Sequence, residues 1–366
     1  MSSRGRRLLG AGLLAALLGL ALAWRFGAPV AFTLALAFPS TERWLAPVAR
    51  DAIRTEVSFG AGGRPVHADL YRRPGPRGAL VLVHGLSPAG RRHPELMRLA
   101  RLLARHGLLV LVPHVEGLAA LRLGGREVDE IRAAIQHAAG LGDRVGVVGL
   151  SFGAGPALLA AATLPEVRLA GSFGGYADLR HVIAYISTGV HELGGRRYVQ
   201  RHEEYNRWKL VALLAGFVDS ERDREGLAAI ARRKLADPAD PTTGLESALG
   251  EAGQAAMALA LNRREDLVAP LLSRLPSRAL EALDRLSPLP AIPTLHGRLL
   301  IAHGSGDESI PFTESLRLAQ AAEGRARVVI LESFHHTGPR GVWEATARRA
   351  LDGWRLLRLA DELLAL

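Results

Sequence analysis

A chain of 366 residues with 48% hydrophobic and 22% charged residues has apolar material for one large core or two ordinary ones, which excludes an intrinsically disordered polypeptide. Lacking cysteine, it can form no disulfide, thiolate metal site, cysteine nucleophile or lipid-modified N-terminal cysteine. The net charge of +10 comes from arginines scattered through every segment, with Lys209 and Lys234 the only lysines, and no arginine stripe with interleaved aromatics marks a nucleic-acid partner.

Arg4, Arg6 and Arg7 precede an uncharged apolar run from Leu8 to Trp24, close to the lower length limit of a membrane-spanning helix. A second apolar stretch, Ala28 to Phe38, follows Arg25; with Pro29 near its start it is too short to span alone, and it is expected at the interface or as the continuation of a bent anchor. Three readings of the run stay open: an uncleaved signal anchor, which is preferred, a secretory signal cleaved after Ala21-Leu22-Ala23, or a hydrophobic hairpin or buried helix. Under the first two, the positive-inside rule puts the rest of the chain outside the cytoplasm, membrane-anchored or secreted, although Arg43, Arg50 and Arg54 pull the other way. Residues 1–50 are therefore assigned to a membrane anchor or signal segment and linker.

From Thr55 the pattern becomes globular. Thr55 to Phe59, a turn through Gly60-Ala61-Gly62-Gly63, and Val66 to Tyr71 predict an antiparallel hairpin. Continuous apolar runs of strand length follow at Ala79–Val83, Leu108–Val112, Val145–Leu150, Val167–Phe173, Leu299–Ala302 and Val328–Leu331. Helix-spaced segments alternate with the earlier runs: Leu96, Leu99, Ala100 and Leu103, then Val128, Ile131, Ile135 and Ala138. This alternation predicts an α/β protein with a mostly parallel, doubly wound sheet. It breaks between 177 and 295, a stretch that reads almost wholly as helix and is expected to be a large inserted cap. Asp237-Pro238-Ala239-Asp240-Pro241 interrupts that stretch, and the proline-rich Pro288–Pro293 returns the chain to the sheet. The core is thus expected in two parts, 51–176 and 296–366.

Gly149-Leu150-Ser151-Phe152-Gly153 lies where a predicted strand ends and the small-residue segment Ala154–Ala162 begins. A serine held on a sharp, strained turn needs neighbours without bulk on both sides, which Gly149 and Gly153 supply. Taken alone, the same five residues describe a glycine-rich turn with a helix-capping serine. Two further motifs in matching order tell against that: Val83-His84-Gly85-Leu86 at an earlier strand end, and an acid and histidine pair after the last two strands.

With these motifs the chain from about Thr55 onward resembles the α/β-hydrolase superfamily, whose triad runs nucleophile, acid, histidine. The resemblance implies an α/β-hydrolase fold with Ser151 as nucleophile and with His84 and Gly85 shaping an oxyanion loop, so that the backbone N–H groups of Leu86 and Phe152 meet the oxyanion. It implies Asp307, in Ile301-Ala302-His303-Gly304-Ser305-Gly306-Asp307-Glu308-Ser309-Ile310-Pro311, as the acid, with Asp178 as the fallback. It implies His336 as the base, since Phe334 sets an aromatic-x-histidine frame, with His335 as the alternative. The family often has Pro-Asp after its second parallel strand where this chain has Pro113-His114, which makes substrate analogies less safe.

The function so implied is a membrane-associated serine hydrolase acting on a carboxylic ester or related acyl bond, with a small-molecule or lipid-like acyl substrate. An acyltransferase with the same nucleophile and a non-catalytic binding protein of the same fold are the alternatives. No cofactor motif is present, and the other histidines, among them His114, His191 and His202, lack metal-ligand spacing.

Overall fold

The structure, a computed structural model, describes residues 19–21, 25–42, 51–200, 204–332, 334–335, 338–339 and 346–366. Helix α1 covers 25–37. Strands β1 (Ile53–Ala61), β2 (Arg64–Arg72), β3 (Gly78–Val83), β4 (Leu108–Pro113), β5 (Val145–Leu150), β6 (Val167–Phe173), β9 (Arg298–Gly304) and β10 (Ala326–Leu331) form one sheet in the order β1-β2-β4-β3-β5-β6-β9-β10. The pairs β1–β2 and β2–β4 are antiparallel and every other pair is parallel. The predicted runs fall within these strands, coinciding with β5 and β6, and pairing extends β3, β4, β9 and β10 by one to three residues beyond the apolar letters.

The two faces of the sheet follow from the two-residue period of a strand. Ala79, Val81 and Val83 of β3 face one cluster of buried side chains, and Leu80 and Leu82 face another. The first cluster is covered by α3 (Arg126–Ala139) and α4 (Ala154–Ala162), the second by α1, α2 (Pro94–Arg105) and the last helix, α11 (Thr346–Leu364). Because both faces are covered, the strands read as unbroken apolar runs. Burying each large side chain contributes roughly 1.5–3 kcal/mol.

The hairpin turn is tighter than its four glycine-rich residues suggest. Ala61 pairs with Arg64, leaving Gly62-Gly63 as a two-residue turn with φ of 55° and 78°. Positive φ at both positions gives the turn the twist of the strands it joins, and glycine adopts it without steric cost.

Between β6 and β9 the chain leaves the sheet through α5 (Leu179–Thr188), α6 (Glu204–Ala215), α7 (Glu221–Ala236), α8 (Glu251–Leu261) and α9 (Ser277–Arg285). This stretch is not all helix: β7 (Val190–Leu193) and β8 (Arg196–Val199) form a second hairpin. It turns on Gly194-Gly195 with φ of 57° and 75°, the solution used at Gly62-Gly63. The buried Glu314 on α10 (Phe312–Ala321) ties the start of this excursion to the core. Its Oε2 accepts from the backbone N–H groups of Ala177 (3.0 Å) and Asp178 (2.8 Å), while Oε1 lies 3.1 Å from His181 Nδ1.

Except for residues 19–21, the Leu8–Trp24 run lies outside the described residues. Among the described residues no helix is long and apolar enough to cross a membrane.

Candidate active site

Ser151 follows the last residue of β5 and opens a single 3-10 turn, Ser151–Gly153, that runs directly into α4. Its φ is +51°, one of three positive values among the described non-glycine residues. A residue with a Cβ holds that conformation at a cost of roughly 1–2 kcal/mol, so the surrounding packing must impose it. The neighbours show how it does so. A β-carbon at Gly149 would overlap the backbone of Ala154, and one at Gly153 would overlap the carbonyl oxygen of His84. A β-carbon at Gly85 would lie 2.9 Å from Ser151 Cβ, so the loop after β3 presses against the serine.

His84 secures that loop. It is buried, its Nδ1 lies 2.8 Å from the carbonyl of Gly85, and its Nε2 accepts from the backbone N–H of Val115 at 3.1 Å. An accepting Nε2 places the proton on Nδ1, which donates to Gly85, and burial pushes the pKa down to about 4, so the ring is neutral at pH 7.

Strand order and turn together settle the architecture: two antiparallel strands, then parallel ones ordered 4-3-5-6-9-10, with a positive-φ serine at the carboxyl end of β5. The chain has the α/β-hydrolase fold. Its elbow serine opens on a cleft of about 30 Å³ lined by Leu86, Phe152, Ile186, Asn206, Leu210 and Ser309 among others. The structure thus brings Ser151 together with both residues expected to supply oxyanion N–H groups. A roomier crevice of about 580 Å³ at the amino ends of β9 and β10 is lined by His296, Arg298, Arg325 and Arg327. Arg325 there is engaged by the Leu295 carbonyl, and Arg298 and Arg327 by Glu362.

Asp307 lies buried on the loop after β9. Its Oδ1 accepts from the N–H groups of Ser309 (2.8 Å) and Ile310 (3.0 Å), which fixes the carboxylate plane, and a β-carbon on Gly174 at the end of β6 would lie 3.6 Å from Oδ2. Asp178, the fallback acid, is the N-cap of α5, accepting from the backbone N–H of Arg180 at 2.7 Å. Phe334–His335 pairs its backbone with Gly338–Pro339 just after β10, whereas His336 lies outside the described residues.

Several of the residues that hold the Asp307 loop have no signature in the sequence. His303 Nε2 donates to the Ile310 carbonyl (2.9 Å) and lies 3.4 Å from Asp307 Oδ2, while its Nδ1 accepts from the Ser315 hydroxyl (2.7 Å). From the β6–β9 excursion, the Tyr185 hydroxyl donates to the Asp307 carbonyl (2.7 Å) and the Asn206 amide to the Glu308 carbonyl (3.0 Å). Ser309 donates back to Asn206 Oδ1 (3.0 Å). Helices of the β6–β9 excursion therefore clamp the loop that carries Asp307. His303 and Ser309 stand in the glycine-rich motif and Ser315 just beyond it, whereas Tyr185 and Asn206 come from the excursion between β6 and β9.

No protein-family model matches the chain, and no curated protein matches it. Among solved structures it is similar to the acylaminoacyl peptidase of Pyrococcus horikoshii (TM-score 0.48, 13% identity, covering 87% of this chain and 42% of that one). It is also similar to the esterase domain of a Rhodothermus marinus protein (TM-score 0.46, 17% identity, covering 85% and 98%). A third is a puromycin-hydrolyzing peptidase of Mycobacterium tuberculosis (TM-score 0.48, 17% identity, covering 86% and 38%). The hydrolase-fold chain spans less than half the length of either peptidase.

Proposed function

We propose that the chain is a membrane-associated serine hydrolase that cleaves a carboxylic ester or a related acyl bond, with Ser151 as nucleophile, Asp307 as acid and His336 as base, His335 being the alternative. The observation that carries this reading is the strained Ser151, held at the end of β5 in one cleft with Leu86 and Phe152. In this mechanism the imidazole takes the hydroxyl proton as Ser151 Oγ attacks the substrate carbonyl carbon. The oxyanion is met by the backbone N–H groups of Leu86 and Phe152, and Asp307 stabilises the imidazolium. The imidazolium then protonates the departing alcohol, leaving an acyl-enzyme. Water, deprotonated by the same imidazole, attacks the ester, and the acid leaves as Ser151 regains its proton.

Ile186, Leu210 and Leu213 offer the acyl group an apolar wall. A cleft of about 30 Å³ holds roughly one water, so a substrate enters as α6 or its side chains move aside. The helical stretch between β6 and β9 thus acts as the cap that sets substrate choice. The N-terminal segment anchors the domain on the outer side of the membrane.

Fluorophosphonate labelling of wild type beside Ser151→Ala, His335→Ala and His336→Ala tests the reading. Labelling is expected in wild type, absent in Ser151→Ala, and lost or greatly slowed in His336→Ala. Wild-type protein that is folded yet neither labels nor turns over any of a panel of esters of rising acyl length would overturn it.

A further inference from the structure

Helix α1 is anomalous for the surface of a folded domain. Its inner face is packed: Phe32 and Ala35 are buried with Leu103 and Leu359, and the ring of Phe32 meets His106 edge-on at 5.5 Å. Its carboxyl end is held by Arg98, whose guanidinium donates to the carbonyls of Ala35 and Leu36 and pairs with Glu42 at 2.8 Å. Its outer face is apolar as well. Val30 and Leu34, one turn apart on a single stripe, are 39% and 43% exposed, and Phe38, just past the end of the helix, is 59% exposed. Arg25, at its start, is the only charged residue of the helix. A helix apolar all round is ordinarily buried on every side, and here the described residues cover one side only.

The sequence around it identifies the other cover. Leu8 to Trp24 is uncharged and apolar in sequence and ends at the residue before Arg25, where α1 begins. If that run enters a bilayer, the start of α1 is pinned at the lipid surface. Arg25 pairs with Asp361 of α11 through two contacts, at 2.5 and 2.8 Å. Two turns before Asp361, on the same stripe of α11, stands Trp354, 55% exposed, with the Arg358 guanidinium 5.8 Å above its ring. An exposed tryptophan flanked by arginines suits the headgroup layer.

We propose that α1 lies in the membrane interface, with Val30, Leu34 and Phe38 turned into the acyl boundary and Trp354 and Arg358 at headgroup level. The folded domain itself then serves as the polar side of an interfacial helix. This rests on the membrane reading proposed above and adds which surface of the domain meets the lipid.

Because the chain has no cysteine, single cysteines can be introduced at Val30, Leu34 and Phe38, with Ala239→Cys on an exposed loop as control. The full-length variants, checked for folding by their thermal midpoints, are labelled with an environment-sensitive fluorophore and reconstituted into phosphatidylcholine–phosphatidylglycerol vesicles, with and without spin-labelled lipid. Labels at 30, 34 and 38 are expected to shift to the blue and to be quenched by the lipid probe, with the label at 239 unaffected. Protein that floats with the vesicles while those three labels stay in water overturns the proposal and leaves the anchor reading intact. Labels shielded from both water and lipid overturn it in favour of cover by a second copy or by the folded-back run. Protein that does not float overturns both readings.

Discussion

The carbonyl oxygen of His84 lies so close to Gly153 that no side chain fits between them. The obstruction is backbone on both sides, so it cannot be relieved by a rotamer change. Gly153→Ala, and Gly149→Ala against Ala154, are each expected to cost about 1–3 kcal/mol of stability. Gly60→Ala, where a β-carbon meets nothing within 4 Å, is expected to cost none. Urea denaturation of the three variants checks this, and a wild-type midpoint for Gly153→Ala would refute it.

The positive φ of Ser151 yields a prediction independent of catalysis. Glycine is normally less stable than alanine in a folded segment, by about 0.5–1 kcal/mol, but at φ of +51° the strain on a β-carbon, about 1–2 kcal/mol, outweighs that. Ser151→Gly should therefore unfold at higher urea than Ser151→Ala. The opposite order would mean that the turn carries no strain.

His84 and His181 give stability opposite dependences on pH. Burial lowers the His84 pKa to about 4, below the roughly 6.5 of an unfolded chain, so its contribution is complete above pH ~6.5 and is lost as pH falls toward 4. The shift corresponds to about 3 kcal/mol at most. His191, also lowered to about 4 by burial, acts in the same direction. His84→Gln should therefore flatten, without abolishing, the loss of stability between pH 7 and 4. An unchanged slope in the variant would contradict the buried, neutral state of the ring.

For His181 the hydrogen bond to Glu314 raises the pKa, so the charged ring stabilises the fold below its unfolded value and the contribution fades as pH rises through the folded one. His181→Ala is expected to lower the thermal midpoint more at pH 5.5 than at pH 9. Equal losses at both would show that the pair carries no charge.

His303 acts through the loop that carries Asp307. His303→Ala leaves the Ile310 carbonyl and the Ser315 hydroxyl without that partner, at a cost of about 1–3 kcal/mol. A shift of the carboxylate by a fraction of an ångström should slow fluorophosphonate labelling of Ser151 by about ten- to a hundredfold. Full labelling speed in a folded variant would confine His303 to a structural role.

The sheet was legible because strands covered on both faces must be apolar at every position, as Leu80, Val81 and Leu82 are. The elbow was legible for a different reason: steric demand around Ser151 falls on residues two positions away, and only glycine meets it. The hairpin at Val190–Val199 was missed although Gly194-Gly195 repeats the signal of Gly62-Gly63. Its strands are four residues each and lie between helices, too short for a period to show.

By itself the sequence determined what depends on neighbours along the chain: the order of strands and helices, the turns, the strained serine and the apolar N-terminal segments. Only the tertiary structure decided which polar groups meet across the chain. The hydroxyl of Tyr185 reaches the carbonyl of Asp307, and Asn206 reaches Glu308 and Ser309. Backbone sterics act over a few residues and leave a mark in the local pattern, whereas a hydrogen bond between segments a hundred residues apart depends on how the helices above the sheet pack, which no local spacing encodes.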